Sequence, residues 1–213
     1  VYLMTGDVEV ITPRALLALT SSAFAIGTTE FVILGLVPTI AEQLGSSLPS
    51  AVMLVSIDAL GVAIGAPVLT ALTGKLPRKQ LLLALMVLFT IGNLLAWQAP
   101  GYATLVVARL LTGLAHGVFF SIGSTIATSL VPKEKAASAI AIMFGGLTVA
   151  LVTGVPMGTF IGQHFGWRET FLAVSPLGVI APIASAVLIP PHTPRPPPGS
   201  PAVPVTVLPH RPL

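Results

Sequence analysis

Three ionisable residues stand in stretches that are otherwise apolar: Glu30 in "TTEFVILG", Asp58 in "VSIDALG" and Arg109 in "VARLLTG". Two carboxylates can take up and release protons, and an arginine can serve as their fixed counter-charge. In hydrocarbon such groups are costly, roughly 2.5–3.5 kcal/mol for an arginine at the middle of an inserted helix, and they usually mark pathways for protons or solutes. Burial opposes a charged carboxylate and a neighbouring guanidinium favours it, so a protonation balance that responds to a solute is physically available. A salt bridge that simply holds helices together is the competing reading of the same three residues. Nucleophilic and metal chemistry is less well supplied. There is no cysteine, which removes thiolate catalysis, disulfides and thiolate metal sites.

The elements that carry these residues must be membrane spans. Of 213 residues, 54% are hydrophobic and 8% charged, and the mean hydropathy is +0.96. A soluble domain has roughly 25% charged residues. The net charge of +3 is too small and scattered to suggest a nucleic-acid partner. Six runs reach the ~20 residues that a bilayer requires: about 15–38, 50–73, 81–97, 102–131, 136–162 and 170–189. Thr12 and Pro13 predict the start of the first, as a cap and a first-turn proline. Short breaks such as "LGSSLPS", "GKLPRKQ", "QAPGY" and "VPKEK" carry turn residues. The sequence begins at Val1 rather than a methionine, as a fragment or an alternative start would, and nothing before Ala15 reads as a secretory signal.

Basic residues give an orientation. Arg14, Lys75, Arg78, Lys79, Lys133 and Lys135 fall on one side, and Arg168 alone on the other. The positive-inside rule then predicts that both termini are cytoplasmic, with Trp97, Tyr102 and Trp167 at the outer interface. Residues 1–13 are expected to form a cytoplasmic segment, 14–189 the six-helix domain and 190–213 a disordered tail. Ten of the last 24 residues are proline, which builds neither helix nor sheet.

Counted from these boundaries, Glu30 lies eight residues below Pro38, Asp58 eight below Ser50 and Arg109 seven below Tyr102. Each is therefore ~10–12 Å deep. The shared depth predicts that Arg109 faces the bundle interior and pairs with one or both carboxylates. His116 is placed ~10 Å deeper, packed against small residues.

Two segments repeat. "GAPVLTALTGKLPR" and "GVPMGTFIGQHFGWR" align Gly65, Pro67, Thr70, Gly74 and Arg78 with Gly154, Pro156, Thr159, Gly162 and Arg168. The copies lie on spans of opposite direction, the signature of inverted three-helix repeats in secondary transporters. Rows of glycine at four-residue spacing (Gly61 and Gly65, Gly113 and Gly117, then Gly154, Gly158 and Gly162) predict faces for close helix approach. Pro156 removes a backbone hydrogen bond and is expected to bend the fifth span.

Four segments in this order resemble the major facilitator superfamily, in its drug and sugar efflux branch near the arabinose efflux permeases: "FAIGTTEFVILGLVPTIAEQLG", "LTGKLPRKQLLL", "ARLLTGLAHG" and "ALVTGVPMGTFIG". The second resembles the family's loop motif, represented here by Gly74, Arg78 and Lys79, although the family's Asp and second Gly are missing. The fourth resembles the antiporter motif of helix five, with Gly154, Pro156 and Gly158, the proline being offset by one. The family has twelve spans, so the resemblance implies an all-α, N-terminal six-helix half of a multi-pass plasma-membrane (inner-membrane) transporter.

It further implies a non-enzyme without catalytic residues, cofactor or metal. Its partners are a small-molecule substrate, protons, the lipid bilayer, and either a missing C-terminal six-helix half or a second copy. Proton-coupled efflux by alternating access is the implied function, with Glu30, Asp58 and Arg109 as coupling or substrate residues. A truncated remnant without transport of its own is the alternative. An intramembrane serine protease is disfavoured, because span six lacks a histidine and Ser121 and Ser124 lack a nucleophile context. An aquaporin-like pore would need paired N-P-A turns. The orientation is testable: with an impermeant thiol reagent, Ser47→Cys should label from outside and Gln80→Cys should not, and the reverse pattern would overturn the topology.

Overall fold

The computed structural model describes residues 5–73 and 76–189, with only the backbone described at 5–13, 66 and 69–72. Gly74, Lys75 and the Pro-rich segment 190–213 lie outside the described residues. The chain folds as α1 (Thr5–Leu44), α2 (Leu48–Thr73), α3 (Arg78–Trp97), α4 (Tyr102–Ser129), α5 (Ala136–Val149), α6 (Val155–Phe165) and α7 (Trp167–Leu188). A 3-10 turn at Lys133–Lys135 leads into α5, and a π-helical turn at Ala150–Gly154 joins α5 to α6. Counting α5 and α6 as one, six helical stretches among the described residues are long and apolar enough to cross a membrane.

Two boundaries differ from the expectation. The first helix begins at Thr5, so Thr12 and Pro13 lie within it rather than at its start. It also continues through Pro38 to Leu44. Gly45, at φ +59°, is what ends it: Gly45 N–H donates to the Glu42 carbonyl and Ser46 N–H to that of Ala41. This is the paired closure of a helix by a left-handed glycine. Pro38 is tolerated because a proline costs a membrane helix only one carbonyl partner, which its surroundings can satisfy.

The bend expected at Pro156 takes the form of the π turn. Pro156 cannot donate to the Val152 carbonyl, and its ring crowds that carbonyl. The preceding turn widens, so that Val155 N–H bonds to Ala150 five residues back. Such bulges are among the few causes of sharp helix distortion.

Packing repeats itself between the two halves of the chain. Helix α2 packs on α4 and α3 on α4, while α5–α6 packs on α1 and α7 on α1; α3 and α7 meet each other. The glycine rows make this possible. A Cβ on Gly61 or Gly65 would come within 2.8 Å of the Leu110 carbonyl or 2.7 Å of the Leu114 carbonyl, and one on Gly117 within 2.5 Å of Val62. Gly113 lies against the Asp58 backbone. Correspondingly, Gly154 lies against Thr28, Gly158 against Val32 and Gly162 against Leu36, all on α1. Thus Gly65 and Gly154, matched in the repeat, make equivalent contacts on α4 and α1.

The helix ends obey the same exchange. Lys79, second residue of α3, donates its ammonium to the carbonyls of Ala186 and Ile189 at the end of α7, at 2.6 and 2.5 Å. Arg168, second residue of α7, donates through Nε and Nη2 to the Ala99 carbonyl just past α3, at 3.1 and 2.7 Å. Arg168 also stacks over Trp167, 4.3 Å from the ring centre. The structural counterpart of Arg168 is therefore Lys79, one residue along from the Arg78 suggested by the alignment.

The buried apolar residues form two clusters. One gathers Leu19, Leu82, Phe89, Phe119 and Ile126. The other, toward the opposite end, gathers Ile33, Leu36, Leu54, Leu105 and Trp167. Between them along the helices fall buried polar residues: Thr29 on α1, Asp58 on α2, Asn93 on α3, and Arg109 and Thr112 on α4. The close approach of α2 to α4 is testable. Gly113→Leu should destabilise the protein by about 1–3 kcal/mol, as overpacking does. Gly145→Leu, where nothing lies within 4 Å of the added Cβ, should leave the melting temperature in detergent nearly unchanged.

Candidate functional site

The polar layer is organised by Arg109, which is 1% exposed. Its Nη2 lies 3.0 Å from Asp58 Oδ1, and Nη1 donates to the Thr29 carbonyl at 3.2 Å. The Thr112 hydroxyl lies 2.9 Å from Asp58 Oδ1 and 3.0 Å from the Arg109 carbonyl. Thr112 follows Arg109 by three residues, so both point to one side of α4. Across the bundle, the Thr29 hydroxyl donates to Asn93 Oδ1 at 3.1 Å, and Asn93 Nδ2 donates to the Phe89 carbonyl at 2.9 Å. The network thus joins α1, α2, α3 and α4.

Glu30 takes a different partner from the one its counted depth suggested. Its Oε2 lies 3.6 Å from His116 Nδ1, while Arg109 is engaged by Asp58. The reason is the true end of α1. Measured from Leu44, Glu30 is fourteen residues in, the same distance that His116 lies from Tyr102. Both are then ~21 Å along their helices. His116 also meets Phe120 edge to face at 5.2 Å. It is a member of the polar cluster and not only a packed histidine among small residues.

One atom each from Glu30, Asp58 and His116 lies within 4.8 Å of the other two. The guanidinium already bound to Asp58 supplies the positive charge there and opposes a dication, so no metal is assigned to the group. Glu30 is the more accessible carboxylate, its side chain 28% exposed against 6% for Asp58. Asn93, Thr29 and Thr112 escaped the reading of the sequence. Asn93, an amide in the middle of an apolar span, was the signal available.

Of the loop motif, Gly74 lies outside the described residues, Arg78 opens α3, and Lys79 closes α7. Gly113, Gly117, Gly154 and Gly158 sit at helix contacts, and Pro156 follows the π turn.

The Major Facilitator Superfamily profile matches residues 19–213. The chain belongs to the major facilitator superfamily. It is 55% identical over 176 residues to the uncharacterized MFS-type transporter YtbD of Bacillus subtilis, covering 83% of this chain and 44% of that protein. It is 51% identical over 169 residues to the inner membrane transport protein YdhP of Escherichia coli (79% and 43%). It is 38% identical over 163 residues to a chloramphenicol resistance protein of Streptomyces lividans (76% and 42%). This major facilitator chain therefore spans less than half the length of these relatives, and its six helices match a six-helix half of the fold.

Breaking a buried ion pair on one side usually costs ~3–5 kcal/mol, whereas replacing both partners by apolar residues can be near neutral. Arg109→Leu should accordingly lower stability by about that amount in thermal or denaturant unfolding in detergent, and Arg109→Leu with Asp58→Leu should recover most of it. The combination of Arg109→Leu with Glu30→Leu should not. Recovery by Glu30 instead would contradict the pairing described above.

Proposed function

We propose that this chain is one half of a proton-coupled exporter of a small solute that works by alternating access, with Glu30 as the protonating carboxylate. Asp58 and Arg109 form the fixed pair beside it. The observation that carries this reading is the arrangement of the polar layer: a half-accessible carboxylate next to a histidine, over an arginine whose charge is already satisfied. Membership of a transporter superfamily supports solute movement, and similarity to a chloramphenicol resistance protein supports export. Proton uptake at Glu30 would weaken its contact with His116 and leave the Asp58–Arg109 link intact. Charge at the cavity wall could then change without loosening α2 from α4.

A transport cavity needs a second wall. Apolar side chains stand exposed on α2 (Met53, Leu60, Ile64) and on α5–α6 (Val152, Met157, Phe160). We assign these faces to contact with a further six-helix half, or with a second copy of this chain. The orientation proposed has both termini in the cytoplasm and the membrane is the bacterial inner membrane, as the YdhP name suggests for that relative. The chain by itself would carry out no coupled flux, and its relatives' greater length favours that second reading.

The test uses proteoliposomes with an imposed proton gradient and chloramphenicol as the first of a panel of solutes. This chain extended by the part of YtbD beyond the matched region should export against the gradient, and the chain alone should not. Glu30→Gln in the extended protein should still exchange solute downhill while losing uphill accumulation. Uphill export by that variant at the wild-type rate would rule out Glu30 as the proton carrier.

A further inference from the structure

Outside the polar layer, a groove of about 480 Å³ lies between α3 and α7. Leu83, Val87 and Ile91 form one wall; Val179, Pro182 and Ile183 form the other. Val87, Ile91, Val179 and Ile183 are each about half exposed, so the groove opens on the outer surface of the bundle. Its shape follows from two residues. Gly178 has no side chain and lies against Thr90, and Pro182 cannot donate to the Gly178 carbonyl four residues back. From Leu83 to Ile91 the groove runs ~12 Å along α3.

One end of the groove is basic. Lys79 lies one turn before Leu83, and its ammonium bonds to the carbonyl of Ala186, which also lines the groove. Two of its three N–H groups go to carbonyls. Among the described residues no carboxylate lies within ion-pair reach of it. A cation without an anionic partner therefore stands at the mouth of an apolar slot parallel to the helices. Basic sites between spans at a membrane surface recognise anionic headgroups.

We propose that this groove binds one anionic phospholipid from the leaflet facing Lys79. An acyl chain lies between α3 and α7, and the phosphate accepts the remaining N–H of Lys79. The site is independent of proton coupling and of any second half. Its test is the protein released from nanodiscs of equal phosphatidylglycerol and phosphatidylcholine, with retained lipid identified by native mass spectrometry. The wild type should keep phosphatidylglycerol with a roughly fivefold preference, the factor one basic residue contributes near an anionic surface. Lys79→Gln should lose the preference and Lys79→Arg should keep it. Val179→Trp, which fills the groove from its lipid-facing side, should reduce retention of both lipids. An unchanged preference in Lys79→Gln overturns the proposal. Should that variant fail to fold, Val179→Trp decides alone, and undiminished retention there overturns it. So does a dimer that closes the groove and excludes lipid.

Discussion

A guanidinium that is almost wholly withdrawn from solvent must carry its counter-charge with it, and much of this bundle is arranged to meet that requirement. Asp58 can reach Arg109 only because α2 and α4 approach with no side chains between them, at Gly61, Gly65, Gly113 and Gly117. In lipid there is no hydrophobic drive to bring helices together, so close backbone packing and polar contacts supply the association. Here the two are one device. The glycines set the distance, and the ion pair fixes which turn of α2 stands opposite which turn of α4.

The polar layer also divides the core. Apolar clusters on either side of it share α1, α3, α4 and α7, yet Thr29, Asp58, Asn93, Arg109 and Thr112 separate them. A continuous apolar interior would let helices slide along one another at little cost. A layer of directional bonds gives a single register. Glu30 and His116, both partly exposed, lie at the edge of that layer.

Much of this was legible in the residues. Six apolar runs, glycine spacing and the matched segments gave the spans and their repeat, because bilayer thickness and close helix contact impose strong composition limits. The depth of the charges was readable too, and it placed Arg109 with one or both carboxylates, of which the structure gives Asp58. It fails for Glu30 because Pro38 does not end α1; Gly45 closes the helix a turn and a half later. Rotation about the helix axis was the other gap. Spans that are apolar on nearly all sides do not declare which face turns inward, so neither the place of Asn93 in the network nor the contact of His116 with Glu30 is readable from them. The form of the bend at Pro156 was likewise hidden, since a missing N–H can be absorbed by a kink or by a wider turn.

The exchange of caps between α3 and α7 has a further consequence. Lys79 holds the far end of α7, and Arg168 holds the far end of α3. Each helix is thus tied to its antiparallel neighbour at both ends, and neither can change length alone. A one-residue insertion in either would advance its end by ~1.5 Å and turn it by ~100°, pulling one cap out of reach. The pair is a caliper: two rods of 20 and 22 residues whose lengths are matched to each other by the caps at their ends. Any drift in one would have to be answered by the other.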